Sequence, residues 1–331
     1  MTVRIGVLGA ARIVPNALTK PAREVDGAEV VAIAARDTDR AKAFATKHGI
    51  PRVLDSYQAL VDDPDVDAVY VPLPNGLHGR WTLAALAAGK HVLCEKPFTA
   101  NAEEAEEVAA AAEASGLVVM EAFHWRYHPL AQRMVDIVRS GELGEIRRVT
   151  TAMCFPLAKK SDIRWQPDLA GGSLMDTGCY AVHWARTLVG EEPEVTGARA
   201  KLRAPGIDRY VQVDLRFPGG ATGLVTSSMW SARVLQLSAR VEGSEGTLKV
   251  LNPIAPQYFH RMTVKTSAGT RKEKVAGDST YTHQLRAFVA AVEHGTPTLT
   301  PPSESVANMR VLDAAYRAAG FEPRVPTSSH S

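Results

Sequence analysis

Two short stretches hold the residues whose types and spacing could do chemistry. Residues 91–98 read HVLCEKPF, and residues 171–184 read GGSLMDTGCYAVHW. The first sends a short apolar strand straight into Glu95-Lys96-Pro97. A residue before proline is pushed toward an extended conformation, which fixes how Lys96 leaves that strand. In the second stretch Asp176, Tyr180 and His183 stand at i, i+4 and i+7, so one continuous helix would carry all three on one face. An isolated tyrosine titrates at about 10 and is a poor acid–base group at neutral pH. A neighbouring lysine cation favours the phenolate and lowers that value. Lys96 with Tyr180 is therefore a sensible pair for moving a hydroxyl proton. The plainer reading keeps Tyr180 as an amphipathic core residue, Asp176 as a solvated one and Lys96 as a strand-end charge.

A second set of residues suits a dinucleotide. Val3–Leu8 runs into Gly9-Ala10-Ala11-Arg12-Ile13-Val14. A dinucleotide-binding turn uses three glycines, for a tight turn, for close approach to the pyrophosphate and for helix–strand packing. Gly9 fills the first slot, while Ala11 and Val14 occupy the other two. The turn Gly9–Ile13 is thus a degenerate match, supported by its place after an N-terminal strand that opens a βαβ unit. The second strand ends Ile33-Ala34-Ala35-Arg36-Asp37. With Ala35 in the slot where an NAD enzyme usually has an acid, Arg36 offers a guanidinium fork to a 2′-phosphate. NADP is therefore the expected cofactor; a register shifted by one residue would bring Asp37 into the slot and make it NAD. Val69–His78 ends in a Pro-rich loop, so Pro72, Asn75 and His78 are expected at the cofactor. Glu95 and Lys96 join them from the next strand end, on the same ligand-binding edge. His78 also reads as a helix-start residue without a ligand.

The elements that must position these groups change character along the chain. Up to about residue 120, apolar runs (Val3–Leu8, Glu29–Ala34, Ala68–Val71, Val92–Cys94, Leu117–Met120) alternate with helical segments (Asp37–His48, His78–Ala88, Ala102–Ser115). Asp37 reads as an N-cap, and Gly49 and Gly89 read as stops. That alternation predicts a parallel sheet covered on both faces. Beyond Glu121 come helices at Pro129–Ser140 and Gly172–Val189, then strand-like runs at Tyr210–Phe217, Ala221–Met229, Ser238–Val241 and Thr247–Leu251. Pro218-Gly219-Gly220 marks a hairpin. Helices return at Tyr281–His294 and Ser305–Ala319, and the tail from Phe321 is expected to fray. The fold class is an α/β Rossmann domain over residues 1–122 and an α+β domain over residues 123–331 with a mostly antiparallel sheet.

The composition narrows the function. Of 331 residues, 45% are hydrophobic and 22% charged, the profile of a soluble globular protein with room for two cores. Lys and Arg number 38 against 36 Asp and Glu, so no electrostatic footprint for nucleic acid or an anionic membrane is expected. The opening MTVRIGVLGA lacks the order of a signal peptide, and no run reaches the ~20 apolar residues that span a bilayer. Cys94, Cys154 and Cys179 are far apart without metal-ligand spacing, which points to a reducing, cytoplasmic setting and no metal.

Taken together, the nucleotide turn, Glu95-Lys96-Pro97 and a Gly-Gly-x-Leu-x-Asp-x-Gly-x-(His/Tyr) helix resemble the glucose–fructose oxidoreductase / inositol dehydrogenase / MocA (Gfo/Idh/MocA) family. The resemblance rests on residues 5–14, 72–78, 94–97, 121–129 and 171–184, and the order of elements fits along nearly the whole chain. Many members carry histidine where this chain has Tyr180. With Tyr180 and with EAFHWRYHP at 121–129, it resembles within that family the dihydrodiol dehydrogenase and NADP-dependent xylose dehydrogenase branch. The resemblance implies a Rossmann domain and an open-faced sheet often used for dimerisation. It also implies that Lys96 and Tyr180 are catalytic, with Asp176 orienting substrate or tyrosine. Arg126, Tyr127 and His183 are expected to line the substrate site, and Arg126 and Tyr127 read equally as purely structural residues. Trp165, after Asp162-Ile163-Arg164, is expected to offer an aromatic face to a sugar ring.

The expected activity is NADP-dependent hydride transfer at a secondary alcohol or hemiacetal of a sugar, polyol or cyclic diol. The expected partner is a small carbohydrate-like molecule, in a homo-oligomer (dimer or tetramer). Two alternatives stand beside it. One is a nucleotide-binding sensor without turnover. The other is an enzyme that keeps its nicotinamide and oxidises transiently to drive elimination or glycoside cleavage.

Overall fold

The computed structural model describes residues 2–232 and 234–328. The chain opens with β1 (Val3–Leu8), β2 (Ala28–Ala34), α1 (Thr38–His48), β3 (Arg52–Leu54), α2 (Tyr57–Val61) and β4 (Ala68–Val71). Next come α3 (His78–Ala87), β5 (His91–Cys94), α4 (Ala102–Ser115) and β6 (Val119–Glu121). Then follow α5 (Pro129–Arg139), β7 (Ile146–Cys154), α6 (Cys179–Val189), β8 (Glu194–Ala204), β9 (Ile207–Arg216) and β10 (Thr222–Ser228). The chain closes with β11 (Gln236–Gly243), β12 (Gly246–Leu251), β13 (Arg261–Thr266), β14 (Gly269–Glu273), α7 (Thr280–His294) and α8 (Pro302–Ala318).

These elements form two compact units. One is the chain up to Tyr127 with Tyr281–Val306; the other is His128–Thr280 with the chain from Ala307. A single boundary at residues 122/123 does not describe this division, because the chain returns to the first unit near its end.

In the first unit six parallel strands lie in the order β3-β2-β1-β4-β5-β6. β1 has β2 on one side and β4 on the other, so the order reverses there, and ligands bind beyond the strand ends at such a switch point. β4 was readable because every residue of it is buried, whereas the short, half-buried β3 was not foreseen. Asp37 caps α1 by accepting from the Arg40 amide at 3.0 Å, and Gly49 ends it at φ 73°. The first crossover is not a regular helix. It is a π turn at Pro15–Thr19 followed by a 3-10 turn at Pro21–Arg23, and Pro21 cannot donate to a continuing helix. The core contains Val3, Ile5 and Val7 of β1, Ile33, Tyr70, Leu93 and Met120, closed by Leu285, Phe288 and Val289 of α7. Those three lie at i, i+3 and i+4 and form one helix face.

The second unit is built on an eight-stranded sheet in the order β14-β13-β12-β11-β7-β10-β9-β8. All its pairings are antiparallel except that of β10 with β7. Pro218-Gly219-Gly220 makes the predicted turn between β9 and β10, with the Phe217 amide donating to Ala221 O at 2.9 Å. β7, β8, β13 and β14 were not foreseen. β8 (EVTGARAKLRA) and β14 (GTRKE) are edge strands with many charges and few buried residues, so period-two hydrophobicity is weak in them. β12 and β13 alternate buried Leu248, Val250, Met262 and Val264 with exposed Lys249, Leu251, Arg261 and Lys265. α6 packs on β7 and β10, and Thr151 of β7 donates to Ala181 O at 2.8 Å.

The tail does not fray where it is described. Arg324 and Thr327 are buried, and Thr327 Oγ1 donates to Asp168 O at 2.6 Å. Residues 329–331 of that expected frayed tail lie outside the described residues.

Candidate active site

In the first unit, four loops bring the expected cofactor residues to one edge. They follow β1, β2, β4 and β5, which are neighbours in the sheet. Gly9 has φ 97° and donates its amide to Ala34 O at 2.7 Å, so the first glycine slot is a true positive-φ position. Ala10 is buried and its carbonyl accepts from Arg40 Nη2 at 2.7 Å; Ala11 and Ile13 are half-buried and Arg12 is exposed. Val14 is fully buried in the core, so the third slot serves packing through a side chain and not through a glycine.

Beyond β2, Ala35 is buried and Arg36 is exposed. Arg36 lines a cavity with Ala35, Asp55, Tyr57 and Trp81. The Tyr57 and Trp81 rings meet edge to face at 5.0 Å, and the Arg80 guanidinium lies 5.4 Å over Trp81. Asp37 uses its carboxylate as the α1 cap, so the acid nearest the ribose slot already has a backbone partner. Asp55 is the acid that shares the cavity with Arg36. Aromatic walls for a base and an exposed guanidinium fit a 2′-phosphorylated dinucleotide.

The loops after β4 and β5 are tied together by His78. Its Nδ1 lies 2.7 Å from Pro97 O and its Nε2 2.8 Å from Leu73 O. The ring is fully buried, so His78 supports the loops from beneath and does not present itself to a ligand. Burial pushes its pKa down to about 4 while the two carbonyls pull it up. Pro72 is buried and Asn75 half-buried at the same loop.

The Lys96–Pro97 peptide is cis. Lys96 is half-buried, and its cation, after burial itself, helps hold His124 neutral with a pKa of about 3. His124 stacks on Tyr281 at 4.0 Å. Glu95 is buried and accepts from Tyr70 Oη at 2.6 Å, which anchors the strand end that delivers Lys96. Tyr127 Oη is hydrogen-bonded to Thr300 Oγ1 at 2.7 Å, and burial raises its pKa to about 12. Thr300 in turn donates to Glu121 O at 2.7 Å, so the Tyr127 hydroxyl serves an internal tether. Arg126 is half-buried beside it.

In the second unit the expected helix over Gly172–Val189 is two pieces. Leu174–Gly178 is a π turn, with the Cys179 amide donating back to Leu174 O, and α6 begins only at Cys179. Asp176 sits in that wider turn, and Tyr180 and His183 sit on α6. The strict i, i+4, i+7 stripe is therefore interrupted, by the kind of insertion that recurs at functional sites. All three side chains are buried. Tyr180 lies beside Trp184, with ring centroids 6.4 Å apart.

Gly171 and Gly172 admit the protein's own groups. A Cβ on Gly171 would lie 2.6 Å from Arg164 O, and one on Gly172, at φ 131°, would overlap Asp208 Oδ1. Asp208 is buried and acts as the cap of the π turn. It accepts from the Leu174 amide at 2.7 Å, Ser173 Oγ at 2.8 Å, Tyr316 Oη at 3.0 Å and Arg324 Nη2 at 2.6 Å. No pattern in sequence could pair residues 173, 208, 316 and 324. Trp165 is buried with Ile207 and Met229 beneath Arg203, whose guanidinium lies 4.4 Å over its ring. One ring face is thus covered within the unit.

Among the described residues no cluster of three or more His, Cys, Asp or Glu could hold a metal ion, and no helix is long and apolar enough to cross a membrane.

A parallel sheet with the nucleotide edge at its switch point, followed by a large mixed sheet, defines a class of two-unit dinucleotide-binding proteins. Residues 3–123 match the model of an oxidoreductase family with an NAD-binding Rossmann fold, and residues 131–249 match the GFO/IDH/MocA C-terminal domain. The chain belongs to the GFO/IDH/MocA family. It is 41% identical over 318 residues to D-xylose 1-dehydrogenase (NADP(+)) 2 of Haloferax volcanii, covering 95% of this chain and 96% of the relative. It is 36% identical over 257 residues to trans-1,2-dihydrobenzene-1,2-diol dehydrogenase of Sus scrofa, covering 76% of this chain and 75% of that one. The crystal structure of a 3-ketoreductase from Actinomadura kijaniata in complex with NADP and TDP-benzene is similar with a TM-score of 0.89 at 31% identity. That likeness covers 96% of this chain and 98% of the other.

Proposed function

We propose that this protein is an NADP-dependent dehydrogenase or reductase acting on a secondary alcohol or hemiacetal of a sugar, polyol or cyclic diol. The observation that carries the reading is the end of β5, where Lys96 leaves the same sheet edge as Gly9 and Arg36. Relatives named as dehydrogenases of a sugar and of a cyclic diol, and a ketoreductase with NADP, support it.

A bound nicotinamide supplies the hydride acceptor or donor. The turn Gly9–Ile13 approaches the pyrophosphate, Arg36 pairs with the 2′-phosphate, and Asn75 hydrogen-bonds the cofactor. Tyr180 takes or returns the hydroxyl proton. Lys96 hydrogen-bonds the reacting oxygen, and Asp176 orients the substrate. His78 and Glu95 hold the loops that carry these groups. The protein works as a cytoplasmic homo-oligomer on a small carbohydrate-like molecule.

The test is a panel of aldoses, polyols, inositols and cyclic diols with NADP⁺ and NAD⁺, read as reduced nicotinamide by absorbance. Tyr180→Phe should keep cofactor affinity and lose roughly 10²–10⁴-fold in kcat, the usual worth of a positioned acid–base group. Full activity in that variant would discard the assignment. Tight NADPH binding with silence across the panel would shift weight to the sensor or to an enzyme with retained nicotinamide.

A further inference from the structure

Asp176 is held from outside its own helix. Its Oδ2 accepts from Arg164 Nε at 2.9 Å, and Arg164 arrives from the loop between β7 and α6. The same guanidinium donates through Nη1 to Asp162 Oδ1 at 3.1 Å. Asp162 is buried and fixed as the cap of the 3-10 turn Ile163–Trp165, accepting from the Arg164 amide at 3.2 Å. The backbone repeats the link. Arg164 O accepts from the Gly172 amide at 2.9 Å, and Gly171 has no room for a Cβ against that carbonyl. Side chain and main chain of Arg164 are thus joined to the start of the Tyr180 helix.

A guanidinium has five N–H donors, and the bonds to Asp176 and Asp162 use two of them. The Arg164 side chain keeps 37% exposure, so donors remain on its solvent side. One cation between two carboxylates leaves the group formally negative, which disfavours an anionic substrate. A carboxylate beside a guanidinium offers an acceptor next to a donor, as two adjacent neutral hydroxyls require.

We propose that Arg164 is a positioning residue that fixes the Asp176 carboxylate for substrate, and that with it selects neutral vicinal diols. This rests on the reading of Asp176 as a substrate-orienting group.

The experiment compares wild type, Arg164→Lys, Arg164→Met, Asp176→Asn and the Arg164→Met/Asp176→Asn double variant, using D-xylose and 2-deoxy-xylose with NADP⁺. Arg164→Met should lose roughly ten- to hundredfold in kcat/KM on D-xylose with NADPH affinity unchanged, assayed well below a melting temperature that falls because two buried carboxylates lose their cation. Most of that loss should vanish on the deoxy sugar and in the Asp176→Asn background. Arg164→Lys should recover little, because one ammonium cannot reproduce the fork. Multiplicative losses in the double variant, equal losses on both sugars, or full recovery in Arg164→Lys would each overturn the proposal.

A readout independent of turnover separates this proposal from the enzyme assignment. In the holoenzyme the Arg164 Nε–H nitrogen-15 NMR signal should be protected from exchange and lose protection in Asp176→Asn. An unprotected signal in the wild type overturns the clamp even if xylose is oxidised. A protected signal with no substrate turned over retains the clamp and discards the dehydrogenase reading and the diol selection built on it.

Discussion

Cofactor choice comes down to the side chains around one phosphate. Arg36 is exposed at its cavity, Ala35 is buried, and Asp37 accepts from the Arg40 amide. Arg36→Ala should weaken NADPH binding roughly tenfold or more, the scale of a charge-assisted hydrogen bond, and leave NADH nearly untouched. Fluorescence titration with both nucleotides checks this, and equal losses would remove Arg36 from the 2′-phosphate. At this scale the sequence was informative where a role follows from local spacing. Asp37 as a cap, Gly9 as a positive-φ turn and Lys96 at a strand end are all set within a few residues. Arg164 was passed over because its partner stands twelve residues on, across a loop whose path no local pattern states. His78 read equally as a cofactor residue and as a helix-start residue without a ligand, and its burial between two loop carbonyls fits the second reading.

Among the elements, α4 shows how a helix start can carry a titration. Asn101 Oδ1 accepts from the Glu104 amide at 2.9 Å, and Glu104 Oε2 reaches back to the Ala100 amide at 2.8 Å. Burial is the main cause that lifts the Glu104 pKa from 4.5 to about 7. The folded state therefore holds an extra proton between those values. This stabilisation is complete below pH 4.5 and is lost as pH rises through 7. Glu104→Gln keeps the acceptor without the charge, so it should be the more stable form at pH 8, by at most about 3 kcal/mol. Urea unfolding at pH 5 and pH 8 decides it: an unchanged pH dependence in the variant would rule Glu104 out. Helices α1 and α4 were legible because each has a side-chain cap and a terminal glycine, and β4 because its apolar run is unbroken. β8 and β14 were not, since charged edge strands have little hydrophobic alternation to read. The π turn at Leu174–Gly178 was also invisible, because Asp208 caps it from another strand.

For the whole molecule the chain end matters more than its composition suggested. Arg324 pairs with Asp208, and both are buried. Arg324→Met should cost about 3–5 kcal/mol, since it leaves a buried carboxylate without its cation. Asp208→Asn in the same background should recover part of that loss. A melting temperature unmoved by Arg324→Met would show that the tail contributes nothing.

The division of the chain has its own consequence during synthesis. The first unit is closed by Leu285, Phe288 and Val289, about 150 residues after the chain has left that unit at Tyr127. At ribosomal rates of about 5–20 residues per second, the apolar seam beside β1 stays uncovered for roughly 8–30 s. The nucleotide-binding half is made first and finished late, and through that interval it depends on whatever in the cell shields a nascent hydrophobic surface.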